Sequence, residues 1–156
     1  MLYEVNGNLL SGKYDIICHQ VNCRGAMGAG LAKQIRNKYP IAYEDYRTAY
    51  EWGLLKLGTN LYTCVEKGKF CVQMCAQDRY GHDGRYTDYE AFQSCLDSLA
   101  HRLEENKVSE DKVIAFPYLI GCGLAGGDWN IIKEMLKDFS NRIKQKVVIV
   151  KWVKPN

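Results

Sequence analysis

Two glycine-rich stretches are the strongest chemical signal in this sequence. The first, HQVNCRGAMGAGLA, runs from His19 to Ala32, and the second, IGCGLAGGDW, runs from Ile120 to Trp129. Each follows an apolar run and precedes a segment with helical spacing. Glycine has no Cβ, so successive peptide N–H groups can turn toward one point, and a helix N-terminus adds unpaired donors. The pattern predicts two phosphate-binding loops; the alternative is that each loop is only a tight turn.

The spacing of the glycines argues against the common nucleotide fingerprints. The first loop reads GxxGxG through Gly25, Gly28 and Gly30, whereas a dinucleotide-binding Rossmann unit has GxGxxG. No Gly-Lys-Ser or Gly-Lys-Thr follows it, as a P-loop ATPase requires. Both stretches come where a strand gives way to a helix, which in open α/β sheets is the edge where ligands bind. We therefore expect the two loops to share one site.

Four polar residues near these loops are candidates for chemistry. His19 ends a strand, where a neutral imidazole can exchange a proton or hold the loop by hydrogen bonds. Asp128 can act as a general base or orient a water molecule, or it can cap the helix that follows it. His82 and Arg85 lie in a polar segment that either covers the ligand or is a solvated loop.

The seven cysteines do not form a metal-binding pattern. They include no CxxC pair, so neither a zinc site nor any other metal site is expected. Cys23 and Cys122 lie inside the glycine stretches, where a thiol beside phosphate-binding amides can have a lowered pKa and act as a nucleophile. No histidine is evidently paired with either cysteine, and small side chains that let a ligand approach the backbone explain both positions.

Length and composition predict one soluble domain. The chain has 156 residues, of which 47% are hydrophobic, and this is enough for a single core over residues 1–156. The net charge of +3 comes from scattered side chains, which fall short of a nucleic-acid-binding stripe. The sequence shows neither a signal peptide nor an apolar run of membrane-spanning length. We expect a cytoplasmic monomer with reduced thiols.

Hydrophobic periodicity predicts alternating strands and helices. Strands are expected at Leu2–Val5, Tyr14–Val21, Asn60–Val65, Phe70–Ala76, Val113–Ile120 and Val147–Val153. Lys67-Gly68 separates the third and fourth strands, which suggests an antiparallel hairpin. Helices are expected after the first loop, from about Ala42 to Glu51, from about Asp88 to Glu105, and after Trp129.

Two of these helices have apolar faces. Phe92, Leu96, Leu99 and Leu103 recur at spacings of four, three and four, as one buried face requires. The last helix offers a wider face, made of Ile131, Ile132, Met135, Leu136 and Phe139. The alternation of helices and strands, with one antiparallel pair, predicts an α/β fold with a mixed sheet covered by helices.

The order of these motifs resembles the macrodomain family over nearly the whole chain. The resemblance rests on VNGNL at Val5–Leu9, DIICH at Asp15–His19, MGAGLA at Met27–Ala32 and IGCGL at Ile120–Leu124. It is closest to the branch that contains terminal ADP-ribose protein glycohydrolase and yeast ADP-ribose 1''-phosphate phosphatase. The resemblance implies a three-layer α/β/α sandwich around a six-stranded mixed sheet, with ADP-ribose as the ligand and no cofactor.

The resemblance also implies a set of ligand-binding residues. Asn8 and Leu9 stand where the family meets adenine, and the Asn8 amide oxygen can accept the adenine amino hydrogen. Asn22 falls near the distal ribose, and Val153 lies near the adenine edge. The diphosphate loops comprise Met27, Gly28, Ala29, Gly30 and Leu31, faced by Ile120, Gly121, Cys122, Gly123, Leu124, Ala125 and Gly126. Ordinary core packing is the alternative for Met27, Leu31 and Leu124.

The catalytic residues of the resembled branch are not matched. Its glycohydrolases use a lysine from the segment before the central helix and an aspartate directly after IGCGL, whereas here that segment contains no lysine and Ala125 replaces the aspartate. Arg85 is the nearest cation, and guanidinium does not act as a nucleophile. His19, Asp128 and Arg85 are therefore the catalytic candidates, and the segment with His82 and Arg85 either covers the distal ribose or is a solvated loop.

We therefore expect an ADP-ribose-binding protein that hydrolyses a linkage at the distal ribose. The candidate substrates are ADP-ribose 1''-phosphate, O-acetyl-ADP-ribose and ADP-ribosylated protein or nucleic acid. The alternative is a non-catalytic module that reads ADP-ribose, which the absence of the lysine and the aspartate favours.

Overall fold

The apolar runs of the chain form a six-stranded sheet. In a computed structural model, which describes residues 1–81 and 83–154, the strands are β1 (Leu2–Gly7), β2 (Ile16–Asn22), β3 (Asn60–Glu66), β4 (Lys69–Gln77), β5 (Val113–Pro117) and β6 (Lys146–Trp152). Their order across the sheet is β1-β6-β5-β2-β4-β3. β3 runs antiparallel to β4, as the hairpin pattern predicts, and the other neighbouring pairs are parallel. The prediction of a six-stranded mixed sheet is confirmed.

Four helices cover the two faces of this sheet. They are α1 (Gly30–Lys38), α2 (Pro40–Glu51), α3 (Tyr89–Glu105) and α4 (Trp129–Arg142). Successive residues of β2 point to opposite faces: Cys18 packs with the apolar sides of α3 and α4, whereas Ile17 packs with Ile35 of α1. The result is the predicted three-layer α/β/α sandwich. Among the described residues, no helix is both long enough and apolar enough to cross a membrane.

The predicted helix faces differ in how well they match the structure. All four apolar residues predicted for the face of α3 are buried. In α4, Ile132, Leu136 and Phe139 are buried, but Ile131 is 42% exposed. A helix that lies on a flat sheet buries the narrow stripe facing it, and Ile131 lies outside that stripe. The wider predicted face was therefore too broad by this residue.

Two boundaries that hydrophobic periodicity misplaces lie at prolines. The helix expected from Ala42 begins at Pro40, because proline has no N–H to lose at the first helical position and its φ suits a helix. The strand expected to reach Ile120 ends at Pro117. Beyond Pro117 the chain turns, with Leu119 at a φ of +63° and the Ile120 N–H donating to the Pro117 carbonyl over 3.1 Å.

The parallel arrangement positions the two glycine stretches side by side. β2 and β5 are neighbours and run in the same direction, so their carboxyl ends lie at one edge of the sheet. The first stretch leaves β2 after Asn22, and the second leaves β5 after Pro117. β4, the other neighbour of β2, ends at the same edge with Gln77.

Candidate ligand-binding site

A cleft opens between the two glycine stretches at this edge of the sheet. It consists of two adjoining cavities of ≈ 440 Å³ and ≈ 270 Å³, which share the side chains or backbone of Gln20, Ala29, Ala32, Gln77, Leu124 and Ala125. The larger cavity extends toward Asn22 and Tyr80, and the smaller one toward Tyr118. Cavities of this size accommodate small organic ligands.

Asn22 organises the first loop. Its Nδ2 donates to the Ala26 carbonyl over 2.9 Å, and its Oδ1 accepts from the Arg24 N–H over 2.9 Å and from the Tyr46 hydroxyl over 2.8 Å. The side chain is 8% exposed and lines the larger cavity. Asn22 therefore lines the cleft and also holds the loop beside it, and its contact with a ligand stays a prediction.

The first loop has a buried half and an open half. Met27 is buried against Val21, Tyr46 and Cys75, so its side chain belongs to the core. Gly28, Ala29 and the first turn of α1 line the cleft. Ala29 is the N-cap of α1 and makes no side-chain capping hydrogen bond, and this leaves the positive end of the helix dipole beside the cleft.

Backbone hydrogen bonds within the second loop connect its beginning to its end. The Gly126 N–H donates to the Gly123 carbonyl over 3.0 Å, and the Gly127 N–H donates to the Gly121 carbonyl over 2.9 Å. Gly121 and Gly126 have φ values of +73° and +72°, a backbone conformation that favours glycine. Between these ends, the N–H groups of Gly123, Leu124 and Ala125 have no acceptor within residues 1–81 and 83–154.

No permanently charged side chain lines the cleft among the described residues. The residues around both cavities include neither Asp, Glu, Lys nor Arg. Any attraction for an anion must therefore come from backbone N–H groups and from the N-terminus of α1. Metal ligands are also missing: within the described parts of the chain, no three His, Cys, Asp or Glu side chains are arranged to hold a metal ion.

His19 borders the smaller cavity but is a buried, neutral side chain. It is 2% exposed, and its Nε2 lies 3.3 Å from Oε1 of Gln73. Nε2 of Gln73 donates to the Ala42 carbonyl, so its Oε1 faces His19 as an acceptor and the proton of His19 is assigned to Nε2. Burial lowers the pKa of His19 from 6.5 to about 4, although the contact with Gln73 acts in the opposite direction.

Asp128 caps α4 and does not line the cleft. Its Oδ1 accepts from the Asn130 N–H over 2.8 Å, and its own N–H donates to the Tyr89 hydroxyl over 2.9 Å. Its negative charge also contributes to the raised pKa of Cys122, whose burial is the larger cause. The capping interpretation of Asp128 therefore has direct geometric support, whereas its role in catalysis stays a prediction.

The polar segment before α3 lies beside the cleft. Arg85 is exposed, and its guanidinium carbon lies 4.4 Å from the centre of the Tyr89 ring, in a cation–π contact. Arg85 lines a separate surface cavity together with Tyr80, which also borders the cleft. His82 lies outside the described residues. The predicted catalytic candidates are thus not gathered at one point of the cleft.

The two loop cysteines are protonated thiols. Burial raises the pKa of Cys122 to about 11 and also raises the pKa of Cys23. Sγ of Cys122 donates to the Ile120 carbonyl over 3.3 Å. A protonated thiol is a poor nucleophile, so these positions favour the interpretation that small side chains were needed there.

The remaining predicted contacts fall into two groups. The first group borders the cleft and consists of Gly28, Ala29, Gly30, Leu31, Ile120, Gly121, Gly123, Leu124 and Ala125. The second group does not line either cavity of the cleft and consists of the buried Met27 together with Asn8, Leu9, Cys122, Gly126 and Val153. Asn8 and Val153 follow the ends of β1 and β6, which pair through Gly7 and Trp152.

Sequence reasoning missed several residues that line the cleft. Gln20, Gln77, Tyr80 and Tyr118 border it, although none was predicted as a site residue. Gln20 carried a usable signal, because it lies with the polar residues His19 and Asn22 in the carboxyl-terminal half of a strand that begins with apolar residues. Gln77 ends β4, which the hydrophobic pattern placed one residue short.

The strand order and the cleft between two glycine loops define an α/β/α sandwich domain with a candidate ligand-binding site. The Macro domain family model matches residues 18–136. The chain belongs to the Macro domain family, and the resemblance seen in its motifs is confirmed.

Three relatives match most of the chain. An uncharacterized 17.5 kDa protein in the tk-vs intergenic region of Enterobacteria phage T4 is 31% identical and covers 87% of this chain and 85% of its own length. The DNA ADP-ribosyl glycohydrolase of Thermus aquaticus is 28% identical over 88% of this chain and 37% of the larger relative. The ADP-ribose 1''-phosphate phosphatase of Saccharomyces cerevisiae is 26% identical over 87% of this chain and 91% of its own.

Solved structures agree with the fold. The macrodomain of Thermus aquaticus DarG superimposes with a TM-score of 0.80 at 26% identity, and each chain is covered to 99%. The macrodomain of Mycobacterium tuberculosis DarG gives a TM-score of 0.83 at 20% identity, covering 100% of this chain and 99% of that one.

Proposed function

We propose that this protein binds ADP-ribose in the cleft and hydrolyses a linkage at the distal ribose. One observation carries the binding proposal: unpaired backbone N–H groups of the second loop lie across the cleft from the uncapped N-terminus of α1. A diphosphate offers acceptor oxygens to both sides at once. The cleft continues past the loops toward Asn22 and Gln77, where a sugar attached to the second phosphate would lie.

The comparisons support this choice of ligand. Two relatives are named for reactions of ADP-ribosyl compounds, and the structure of Thermosipho africanus DarTG, which shares this fold, was solved in complex with ADP-ribose. The ligand of the present chain is inferred from these names together with the donor pattern of the cleft.

Hydrolysis in this cleft would depend on positioning rather than on a covalent intermediate. Among the described residues, the cleft presents no lysine, aspartate or glutamate that could attack a sugar carbon. Two loops that fix the diphosphate also fix the distal C1'' carbon, so that a water molecule beside it meets the reacting bond in a constant geometry. His19, Asp128 and Arg85 remain the proposed catalytic residues to be tested by substitution.

Binding and turnover are tested separately. Isothermal titration calorimetry with ADP-ribose, ADP and AMP should give micromolar binding of ADP-ribose and weaker binding of AMP, which lacks the second phosphate. Turnover is then measured on ADP-ribose 1''-phosphate, O-acetyl-ADP-ribose, and ADP-ribosylated DNA and protein in ¹⁸O-labelled water. For ADP-ribose 1''-phosphate, label in the released phosphate indicates attack at phosphorus, and unlabelled phosphate indicates attack at C1''. For O-acetyl-ADP-ribose, label in the released acetate indicates attack at the acyl carbon. Absence of ADP-ribose binding would overturn the proposed ligand.

A non-catalytic reader of ADP-ribose is the second candidate. It is favoured by the lack of charged groups around the cleft within the described residues and by the low pKa of His19, which leaves that group a weak base. Tight binding of ADP-ribose without turnover of any of the four substrates would select this function.

A further inference from the structure

A partly buried polar cluster at the floor of the cleft connects three elements of the fold. Nε2 of Gln20 on β2 donates to Oε1 of Gln77 on β4 and to Oγ1 of Thr87, each over 2.8 Å. Thr87 precedes α3 and is 2% exposed. Its Oγ1 donates to the Gly121 carbonyl over 2.6 Å, so the cluster reaches the second glycine loop.

The directions of these hydrogen bonds are fixed by the groups at the ends of the cluster. The Gly121 carbonyl can only accept, so Thr87 donates to it and accepts from Gln20. Nε2 of Gln77 donates to the Arg79 carbonyl, and its Oε1 therefore faces Gln20 as an acceptor. The Gln20 amide consequently has one possible orientation, with its Nε2 toward both partners.

This orientation leaves Oε1 of Gln20 buried without a donor among the described residues. It lies under Gly121, where a Cβ atom would come within 2.8 Å of it. A buried acceptor without a partner costs stability. Stability of the core alone does not explain why this arrangement is kept, and unsatisfied groups of this kind occur where structure serves a site.

Thr87 and its neighbours also hold the far end of the second loop. The Ala125 carbonyl accepts from the N–H groups of Tyr86 and Thr87 over 2.7 and 3.1 Å. Gly126 packs closely on the segment that precedes Tyr86. A Cβ atom at Gly126 would come within 2.5 Å of the Gly84 carbonyl oxygen. Thr87 thus contacts the loop at Gly121 through its side chain and at Ala125 through its backbone.

We propose that Thr87 is the positioning residue of the second glycine loop, held in place by Gln20 and Gln77. By fixing the carbonyls of Gly121 and Ala125, it keeps the intervening N–H groups of Gly123 and Leu124 available to the ligand rather than paired within the loop. The proposal rests on the proposed function for its ligand, but the shape of the loop can be tested without one.

The experiment compares Thr87→Val with Thr87→Ser and with a matched control, Thr63→Val. Thr63 lies on β3, away from the cleft, and is as buried as Thr87. Its hydroxyl donates to the carboxylate of Asp45 on α2 over 2.7 Å. Calorimetry with ADP-ribose should show about a tenfold weaker affinity for Thr87→Val, the effect of one lost hydrogen bond. Thr87→Ser should bind ADP-ribose as tightly as wild type. Thr63→Val should also keep the wild-type affinity, although its melting temperature should fall by about as much as that of Thr87→Val.

Amide hydrogen exchange on the ligand-free proteins provides a second readout. Thr87→Val should speed the exchange of the Gly126 and Gly127 amides, which close the loop, and Thr63→Val should not. If Thr87→Val binds ADP-ribose as tightly as wild type, or if its loop amides stay protected, the proposal is wrong. If wild type does not bind ADP-ribose, the proposed ligand is wrong, and the exchange measurement still decides the role of Thr87.

Discussion

Gly25 and Gly28 are three positions apart in the first loop and are glycines for different physical reasons. A Cβ atom at Gly25 would come within 2.7 Å of the Tyr50 ring, and the residue has a φ of +75°. At Gly28, no atom lies within 4 Å of the position that a Cβ would take. Gly25 therefore serves the packing of the protein, and Gly28 leaves open space that a ligand can use.

The first prediction concerns this open space. Gly28→Val places a branched side chain in the cleft without a clash with the protein, so we expect ADP-ribose binding to be lost while the melting temperature changes by less than about 3 °C. Gly123→Val should act in the same way from the second loop, because its position is also open. Calorimetry and thermal unfolding measure the two effects.

Ser109→Val serves as the control, because it places the same branched side chain on the exposed connection between α3 and β5, which does not line the cleft. Its ADP-ribose affinity should match that of wild type. Unchanged affinity in both Gly28→Val and Gly123→Val would show that the loops do not enclose the ligand.

At the scale of elements, α3 and α4 begin in the same way. Asp88 accepts from the Ala91 N–H over 2.9 Å at the start of α3, and Asp128 accepts from the Asn130 N–H at the start of α4. α1 differs, since Ala29 provides no side-chain acceptor and its first turn faces the cleft. α3 and α4 are thus capped by side chains, whereas α1 has uncapped N–H groups beside the cleft. α2 also lacks a side-chain cap, but it begins with Pro40, which has no N–H.

The second prediction separates capping from catalysis at Asp128. Asp88→Ala and Asp128→Ala should each lower the free energy of unfolding by about 1 kcal/mol, because each removes one N-cap. Asp128→Asn should keep the cap and most of the stability. Urea denaturation measures these changes, and steady-state assays on the substrate that wild type hydrolyses measure turnover.

Asp128→Asn separates the two roles, because it keeps the cap and removes the carboxylate. If Asp128 acts as the proposed catalytic residue, turnover should be lost in both Asp128→Ala and Asp128→Asn. Turnover that persists in Asp128→Asn would contradict the catalytic role and leave helix capping as the function of this side chain.

At the scale of the whole molecule, the sheet determines both the core and the site. β2 is buried on both faces by helices of opposite layers, and its carboxyl end reaches the cleft. His19 lies within this strand, so an imidazole is enclosed in the middle of the sandwich. Protonation of one side chain therefore acts on the stability of the entire fold.

The third prediction follows from the lowered pKa of His19. The unfolded chain binds a proton near pH 6.5, and the folded protein does so only near pH 4. Between these values the unfolded state holds more protons, so stability falls as the pH falls. We expect His19 to remove about 2 kcal/mol from the free energy of unfolding between pH 7 and pH 5.

Urea denaturation of wild type and His19→Gln at both pH values tests this contribution. The loss on acidification should be smaller in His19→Gln by about the same 2 kcal/mol. His101→Gln, which changes an exposed histidine on α3, should behave like wild type. An equal loss in wild type and His19→Gln would mean that His19 does not titrate as its burial implies.

Much of the architecture could be predicted from the sequence, because periodicity reports which faces of an element are apolar. The hairpin of β3 and β4, the buried face of α3 and the junctions of both glycine stretches were all predicted and confirmed. The start of α2 was misplaced because periodicity ignores that proline suits the first helical position, and the end of β5 was misplaced because periodicity does not report the turn at Leu119.

The sequence by itself determined the family, the sandwich and the two loops, because local patterns and motif order are properties of the chain. Only the tertiary structure decided which loop residues face the cleft, as Met27 and Gly28 are adjacent in sequence and lie on opposite sides of the loop wall. It also brought Gln20, Gln77 and Thr87 together from three elements. Such a cluster depends on strand register and long-range hydrogen bonds, and no local pattern encodes these contacts.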